Sequence, residues 1–324
     1  MHALLEKLWY RNHFLATYLK PFSWLYSSIC KVRRFFLELR QKQFPIPIIV
    51  VGNLTTGGVG KTPLVVALAK ALEQKGLSVG VVSRGYKATL KTFPYLVTVE
   101  DKASDVGDEP LLIARSLNVP VVIAPKRVEA VEFLLKKYAC DIIISDDGLQ
   151  HYAMGRSIEI IVIDGFRELG NGLCFPAGPL RESPKRLKEV DFVVVNTGLW
   201  PDAYNMSVRP TQLRQVATGV KAEMQDLKFP IAAVAGVGNP ARFFCTLKVD
   251  MDLIFTPYIF PNHHAFQESD LQLKEQSIIM TEKDAVKCQP FAKENWYYLQ
   301  VEASLIDSFW QALWSHKQLR SYLK

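Results

Sequence analysis

The segment Gly57-Gly58-Val59-Gly60-Lys61-Thr62-Pro63 combines glycines, a lysine and a hydroxyl at a spacing that suits one kind of chemistry, holding a chain of phosphates. Glycine leaves room for backbone N–H groups to point inward at phosphate oxygens, Lys61 supplies charge for the terminal phosphates, and the Thr62 hydroxyl suits a ligand to Mg²⁺. Pro63 is tolerated because the first turn of a helix has no intrahelical N–H partner to lose. The strict pattern GxxxxGK[ST] requires glycine at position 55, where this chain has Thr55 followed by Thr56, so the nucleotide loop predicted over 55–63 is a variant.

A phosphate loop works with an apolar strand ending in an aspartate that reaches Mg²⁺ directly or through water. Ile142 to Asp147 ends in Asp146 and Asp147, and Ile158 to Asp164 ends in Asp164. Spacing favours the first pair, since two carboxylates can hold a metal and its water shell, although aspartate after a strand also serves as a helix cap. Transfer of phosphate to a hydroxyl needs a proton acceptor as well. GDEP at 107–110 offers Asp108, which equally suits the cap of the helix that follows. His263 and His264, in the turn-like FPNHHAF, and His151, just after DDGLQ, are weaker candidates, solvated or backbone-bonded by default.

These residues need rigid elements behind them. After Pro45 and Pro47, apolar runs such as IPIIVVGN, SVGVVSRG, VPVVIAP, DIIISDD, IEIIVID and DFVVVN alternate with helical stretches at 63–75 and 127–138. Runs without period-two alternation imply a parallel sheet covered on both faces. The expectation is an α/β fold: a P-loop NTPase-like parallel core over 45–228, a smaller α/β lobe over 229–324, and amphipathic helices over 1–44. The stretch 199–227 reads as an irregular connection. At the N-terminus, helices are expected from Leu4 to Leu19 and from Phe22 to Leu39, broken at Pro21.

The net charge is +7, and residues 1–45 carry eight bases against two acids, so nearly all of the excess is local. The remainder gives no case for nucleic-acid binding. Five widely spaced cysteines without a CxxC pair argue against a disulfide framework or a zinc site, and point to a reducing cytosol. No signal peptide is expected, because Glu6, Lys7, Arg11 and Lys20 interrupt the early apolar residues. Nor does any later segment have the unbroken apolar length of a spanning helix. The stripe Phe22, Leu25, Ile29, Val32, Phe36, studded with bases, suits either an anionic membrane surface or the protein's own core.

In order along the chain, GNLTTGGVGKTP, SRGY, GDEP, SDDGLQH, PAGPLRE, VAGVGNPARFF, FPNHHAF and TEKDAVK resemble the tetraacyldisaccharide 4′-kinase family of lipid A biosynthesis. The resemblance implies transfer of the ATP γ-phosphate to the 4′-hydroxyl of a lipid-linked glucosamine disaccharide 1-phosphate, at the cytoplasmic face of the bacterial inner membrane. No obligate protein partner is evident from the sequence. The resemblance also implies Lys61 and Thr62 on the phosphates and metal, Asp146 and Asp147 as the metal pair, Asp108 as general base supported by His263, and Arg181 near the phosphates. Closure of the second lobe would bring His263 to Asp108. The family usually has aspartate where this chain has Asn262, so any tuning of the histidine comes from elsewhere. The rival class is a membrane-associated P-loop ATPase switch, which carries a lysine before the paired glycines where this chain has Thr56. A GTPase is disfavoured because VVVNTG at 193–198 lacks the NKxD that reads guanine.

Overall fold

The computed structural model describes residues 2–11 and 13–323, so positions 1, 12 and 324 of the ranges set out above lie outside the described residues. In chain order the helices are α1 (His2–Tyr10), α2 (Leu15–Leu39), α3 (Lys61–Gln74), α4 (Ala103–Val106), α5 (Asp108–Ser116), α6 (Arg127–Lys137), α7 (Pro240–Cys245), α8 (Glu282–Cys288), α9 (Asp307–Ser315) and α10 (Lys317–Arg320). The strands are β1 (Ile48–Gly52), β2 (Val79–Ser83), β3 (Tyr95–Val97), β4 (Val121–Ile123), β5 (Ile142–Asp146), β6 (Ile158–Asp164), β7 (Phe192–Asn196), β8 (Tyr204–Gln215), β9 (Lys221–Ala222), β10 (Ile231–Ala235), β11 (Thr256–Ile259), β12 (Ser277–Thr281) and β13 (Trp296–Leu305).

They form one 13-stranded sheet in the order β11-β10-β12-β13-β8-β7-β6-β1-β5-β2-β4-β3, with β9 beside β8. β1, β5 and β6 are buried along their whole length, as continuous apolar strands covered on both faces must be. α3 buries Leu64, Val65, Leu68, Ala69 and Leu72 on this core. The smaller set, β10 to β12, is also parallel.

The expectation of an irregular 199–227 is overturned. β8 runs twelve residues and pairs antiparallel with β13 along nearly its whole length. Its pattern was weak because the ribbon is covered only in part, so no alternation of buried apolar residues marks it. Pro210 would break a central strand, and the register slips beside it between Gln300 and Val301.

The N-terminal break also falls elsewhere. α2 runs through Pro21, and the interruption falls instead between Tyr10, where α1 ends, and Leu15, where α2 begins. Thr17 and Pro21 are both exposed, so water reaches the carbonyl whose partner Pro21 removes. One face of α2 docks on the body: Ser23 Oγ donates to the Cys174 carbonyl at 2.8 Å, the Tyr26 ring meets Phe175 edge-on at 5.8 Å, and Arg34 pairs with Glu189 at 2.6 Å. Tyr18, Phe22, Leu25, Ile29, Val32 and Phe36, spaced four and three apart, are each more than half exposed. The apolar stripe is therefore not part of the protein's own core.

α9 closes the sheet near the junction of the two strand sets through Phe309, fully buried with its ring 5.6 Å from both Phe192 of β7 and Tyr204 of β8. Phe309→Ala is expected to cost about 3–5 kcal/mol, the transfer term plus the cavity left, measured by denaturant unfolding.

Candidate functional site

The segment expected to cradle phosphates leaves β1, turns with Gly57 at φ 119° and Gly60 at φ 95°, and enters α3 at Lys61. Side chains are excluded at Gly60, where a Cβ would lie 2.3 Å from Asn196 Nδ2. That same amide donates to the Val59 carbonyl at 2.9 Å. The departure at position 55 has a structural reason. Thr55 forms a β-bridge with Leu180, Thr56 N–H donates to the Pro179 carbonyl at 3.0 Å, and Arg181 N–H donates to the Leu54 carbonyl at 2.7 Å. The start of the loop is extended and paired, a conformation that needs no glycine.

This pairing also brings Arg181 to the loop. Its Nη1 lies 3.2 Å from Asp147 Oδ1, and Lys61 Nζ approaches the same carboxylate at 3.4 Å and Asn53 Oδ1 at 3.1 Å. Burial raises the Asp147 pKa, but Lys61 and Arg181 outweigh it and hold the carboxyl well below the usual carboxylate range. Asp146 is in the opposite situation. It is buried, Oδ1 has no hydrogen-bond partner, and Oδ2 makes only a long contact with Ser83 Oγ at 3.4 Å. Burial first, then the charges of Glu109 and Asp147, push it up to about 7. A buried carboxylate oxygen with no donor fits a cation. Among the described residues no group of three or more His, Cys, Asp or Glu stands ready to hold a metal, so phosphate oxygens and water would complete the shell beside Asp146 and the Thr62 hydroxyl. Asp164, the alternative metal carboxylate, is engaged by Arg242 at 3.0 Å.

Across the cleft, the turn after β11 carries His263 in the left-handed region at φ 57°. Its Nδ1 lies 2.9 Å from Asp108 Oδ2, its ring meets Tyr86 at 5.2 Å, and its carbonyl accepts from Lys87 Nζ at 3.0 Å. The expected lobe closure is not needed for this contact, which is already formed. Asp108 opens α5, but its carboxylate faces the histidine and reaches only the N–H of the next residue, Glu109, so it does not act as an N-cap of the usual kind. Burial raises its pKa, while His263 and Lys283 bring it down to about 2. The carboxylate partner of His263 is thus Asp108, and position 262 is not called on to provide one. His264 points away, bonded to Asp270 at 2.9 Å between Phe260 and Phe266. His151 stands apart from the dyad, its pKa lowered to about 4 by burial and by Arg127 and Arg84.

Two cavities meet at the loop. One, about 630 Å³, runs along α3 past Lys61, Thr62, Val66, Leu299 and Val301. The other, about 710 Å³, is lined by Lys61, Asp147, Arg181 and His263 and reaches Tyr26, Cys30 and Arg33 of α2. Sequence reasoning missed Glu109, Arg242 and Lys283, which border both cavities. Each lies inside a signature segment, GDEP, VAGVGNPARFF or TEKDAVK, but lone charges there give no sign of which neighbours they meet.

Residues 15–318 match the family described as LpxK, tetraacyldisaccharide-1-P 4′-kinase. The chain is 56% identical to the tetraacyldisaccharide 4′-kinase of Legionella pneumophila (strain Lens), over 99% of this chain and 100% of that one. It is 47% identical to that of Shewanella oneidensis, over 99% and 96%. Its structure is similar to the "apo" form of LpxK from Aquifex aeolicus in complex with ATP, with a TM-score of 0.79 at 27% identity, covering 96% of this chain and 100% of that one.

The depressed Asp108 pKa makes a stability prediction. The contribution is present above the ordinary pKa of 3.8 and is lost as pH falls through about 2. Relative to Asp108→Asn, the native protein is expected to be more stable by about 2 kcal/mol at pH 7, with the gap closing between about pH 4 and 2 in denaturant titrations.

Proposed function

This chain belongs to the tetraacyldisaccharide-1-P 4′-kinase family of lipid A biosynthesis, and from that premise we propose how its residues carry the transfer. It is a kinase and ATP is its donor. The phosphates would lie on the loop 55–63, the nucleoside in the cavity along α3, and the acceptor sugar in the cavity that ends at His263. The observation that carries this reading is the 2.9 Å contact between Asp108 and His263 beside the loop.

That contact changes the division of labour. A carboxylate held near pKa 2 is a poor proton acceptor, whereas an imidazole whose Nδ1–H donates to it keeps Nε2 free to accept. His263 is accordingly the general base and Asp108 the group that fixes its tautomer and stabilises the imidazolium. A bond forms between the 4′-oxygen and the γ-phosphorus, the bond from that phosphorus to the β–γ bridging oxygen breaks, ADP leaves, and the hydroxyl proton goes to Nε2. Arg181 and Lys61 offset charge on the phosphates, with Asp147 as their counter-ion before ATP arrives. Asp146 and Thr62 would hold Mg²⁺, which when bound supplies further charge neutralisation.

The smaller lobe, taken as residues 229–324, contributes His263, and the core of 45–228 contributes the loop. In this reading the segment 1–44 would bring the site to a membrane. No helix among the described residues is long and apolar enough to cross one. The exposed stripe of α2, flanked by Lys20, Lys31 and Arg33, suits immersion in the interface of an anionic leaflet, and we place the enzyme at the cytoplasmic face of the bacterial inner membrane. The opposite face of the same helix lines the acceptor cavity, so a multiply acylated substrate reaches the site without leaving the bilayer.

His263→Ala and Asp108→Ala are each expected to lower transfer of label from γ-labelled ATP to tetraacyldisaccharide 1-phosphate by about 10²–10⁴-fold with ATP binding retained. Wild-type turnover in either would sink the dyad. Replacing Phe22, Leu25 and Ile29 together by serine should weaken co-sedimentation with anionic vesicles by at least about tenfold. Undiminished binding would move the membrane contact away from α2.

A further inference from the structure

The wall shared by the two cavities includes Gly58, Lys61, Glu109, Asn239, Arg242 and Lys283. In the assignment above, on which this inference rests, the γ-phosphate passes from one cavity to the other at this wall. Of its three cations, Lys61 belongs to the loop. Arg242 is committed to Asp164, whose carboxylate is buried, and to the Asn196 carbonyl at 3.4 Å. Lys283 differs from both. It enters from the first turn of α8, is largely buried, and has its Nζ 2.7 Å from Glu109 Oε1 and 3.7 Å from Asp108 Oδ2. Burial favours the neutral amine, but Glu109 and then Asp108 reverse this and raise its pKa, so Lys283 remains an ammonium.

An ammonium on a flexible stem, beside the dyad and on the same wall as the phosphate loop, can exchange one anionic partner for another. We propose that Lys283 is a catalytic residue that leaves Glu109 for the γ-phosphoryl group of bound ATP and offsets the charge on that group as it moves to the acceptor. The bond changes are those of the transfer itself: Lys283 forms no covalent bond, keeps its proton, and its position near Asp108 lets it follow the phosphate toward the sugar oxygen. Asp284, next in sequence, fixes the other side. It is fully buried, accepts from the Gly236 N–H at 2.8 Å, and the Gly236 carbonyl in turn accepts from the His263 N–H at 3.2 Å. The turn at 281–284 therefore holds the lysine and the backbone of the base in one frame.

A merely structural ion pair between α8 and α5 makes a different prediction, and the two can be separated without acceptor. Titration calorimetry with ATP and with ADP, both with Mg²⁺, would be run on the full chain and on Lys283→Met, Lys283→Arg and Glu109→Gln. A lysine on the γ-phosphate predicts that Lys283→Met weakens ATP by at least about tenfold and leaves ADP unchanged, as loss of one charge-assisted contact would. Lys283→Arg should recover part of the difference. Glu109→Gln, which releases the lysine, should shift the ATP-to-ADP preference the opposite way. In steady state, Lys283→Met should lower kcat by about 10²–10³-fold, the usual loss for one preorganised donor on developing charge. If Lys283→Met and Glu109→Gln change both nucleotides alike and in the same direction, the lysine is a structural tether and the proposal is wrong. Should Lys283→Met not fold, the ATP-to-ADP ratio of Glu109→Gln alone decides, an unchanged ratio overturning the proposal. His263→Ala tests the dyad independently, since the nucleotide ratio does not involve the base.

Discussion

The antiparallel pairing of β8 with β13 is the constraint on which the site depends. β7 lies parallel to the start of β8, with Asn196 opposite Met206, and β12 lies parallel to the start of β13, with Thr281 opposite Leu299. Because β8 and β13 run in opposite directions, β7 and β12 approach from opposite ends of the ribbon and their carboxyl ends point at each other. Leu299 stands opposite Leu213, so the two ends are separated by the stretch of β8 from Met206 to Leu213, roughly 23 Å at strand rise. Ligands of parallel α/β sheets sit beyond the carboxyl ends of the strands. Setting two such ends face to face makes one cleft with two sets of loops. One supplies the glycine-rich loop at 57–63 and Asp146, the other His263 and Lys283.

The backbone at these loops is held where few residues settle by themselves. Asp147 and His263 both have positive φ, as does Lys87, which bonds to the His263 carbonyl. A non-glycine residue in the left-handed region costs of order 1 kcal/mol, so it persists where surrounding contacts fix it. Those contacts are present. Lys61 and Arg181 grip the Asp147 carboxylate, and Asp108, Tyr86, Lys87 and Gly236 surround His263. The unpartnered Oδ1 of Asp146 is the other side of this arrangement. Neighbouring carboxylates at 146 and 147 can share a site because two cations neutralise one of them, leaving the other free for a different charge.

How far the sequence spoke follows from how local each feature is. The loop read as a phosphate loop, its strand and its helix lie within residues 48–74, so their residue types alone suggest that chemistry. For the aspartates at the end of β5, spacing leaves Asp164 as an alternative, and in the structure Asp164 is engaged by Arg242. The ribbon did not show itself, because its faces are only partly covered and Pro210 breaks the pattern. The end of α1 near residue 11 carried less signal than Pro21, yet an exposed proline costs a helix one bond that water replaces. Asp108 and His263 are 155 positions apart, and Lys283 and Glu109 are 174 apart. Family resemblance linked the first pair with Asp108 as the base, and the reading proposed above moves that role to His263 because of the burial and charge around Asp108.

The two faces of α2 tie the cleft to the outside. Positions 23, 26, 30 and 34 face the body and positions 18, 22, 25, 29, 32 and 36 face away. A helix that served only as an anchor would need no fixed rotation relative to the catalytic body. Here the rotation is fixed, by the Ser23 bond to Cys174, the packing of Tyr26 on Phe175 and the stacking of Arg34 over Tyr152 at 4.9 Å. Tyr152 in turn bonds to Glu182, the neighbour of Arg181. The plane of the exposed stripe is thereby set relative to Arg181 and Asp147, and an apolar surface meeting that stripe stands at one height from both.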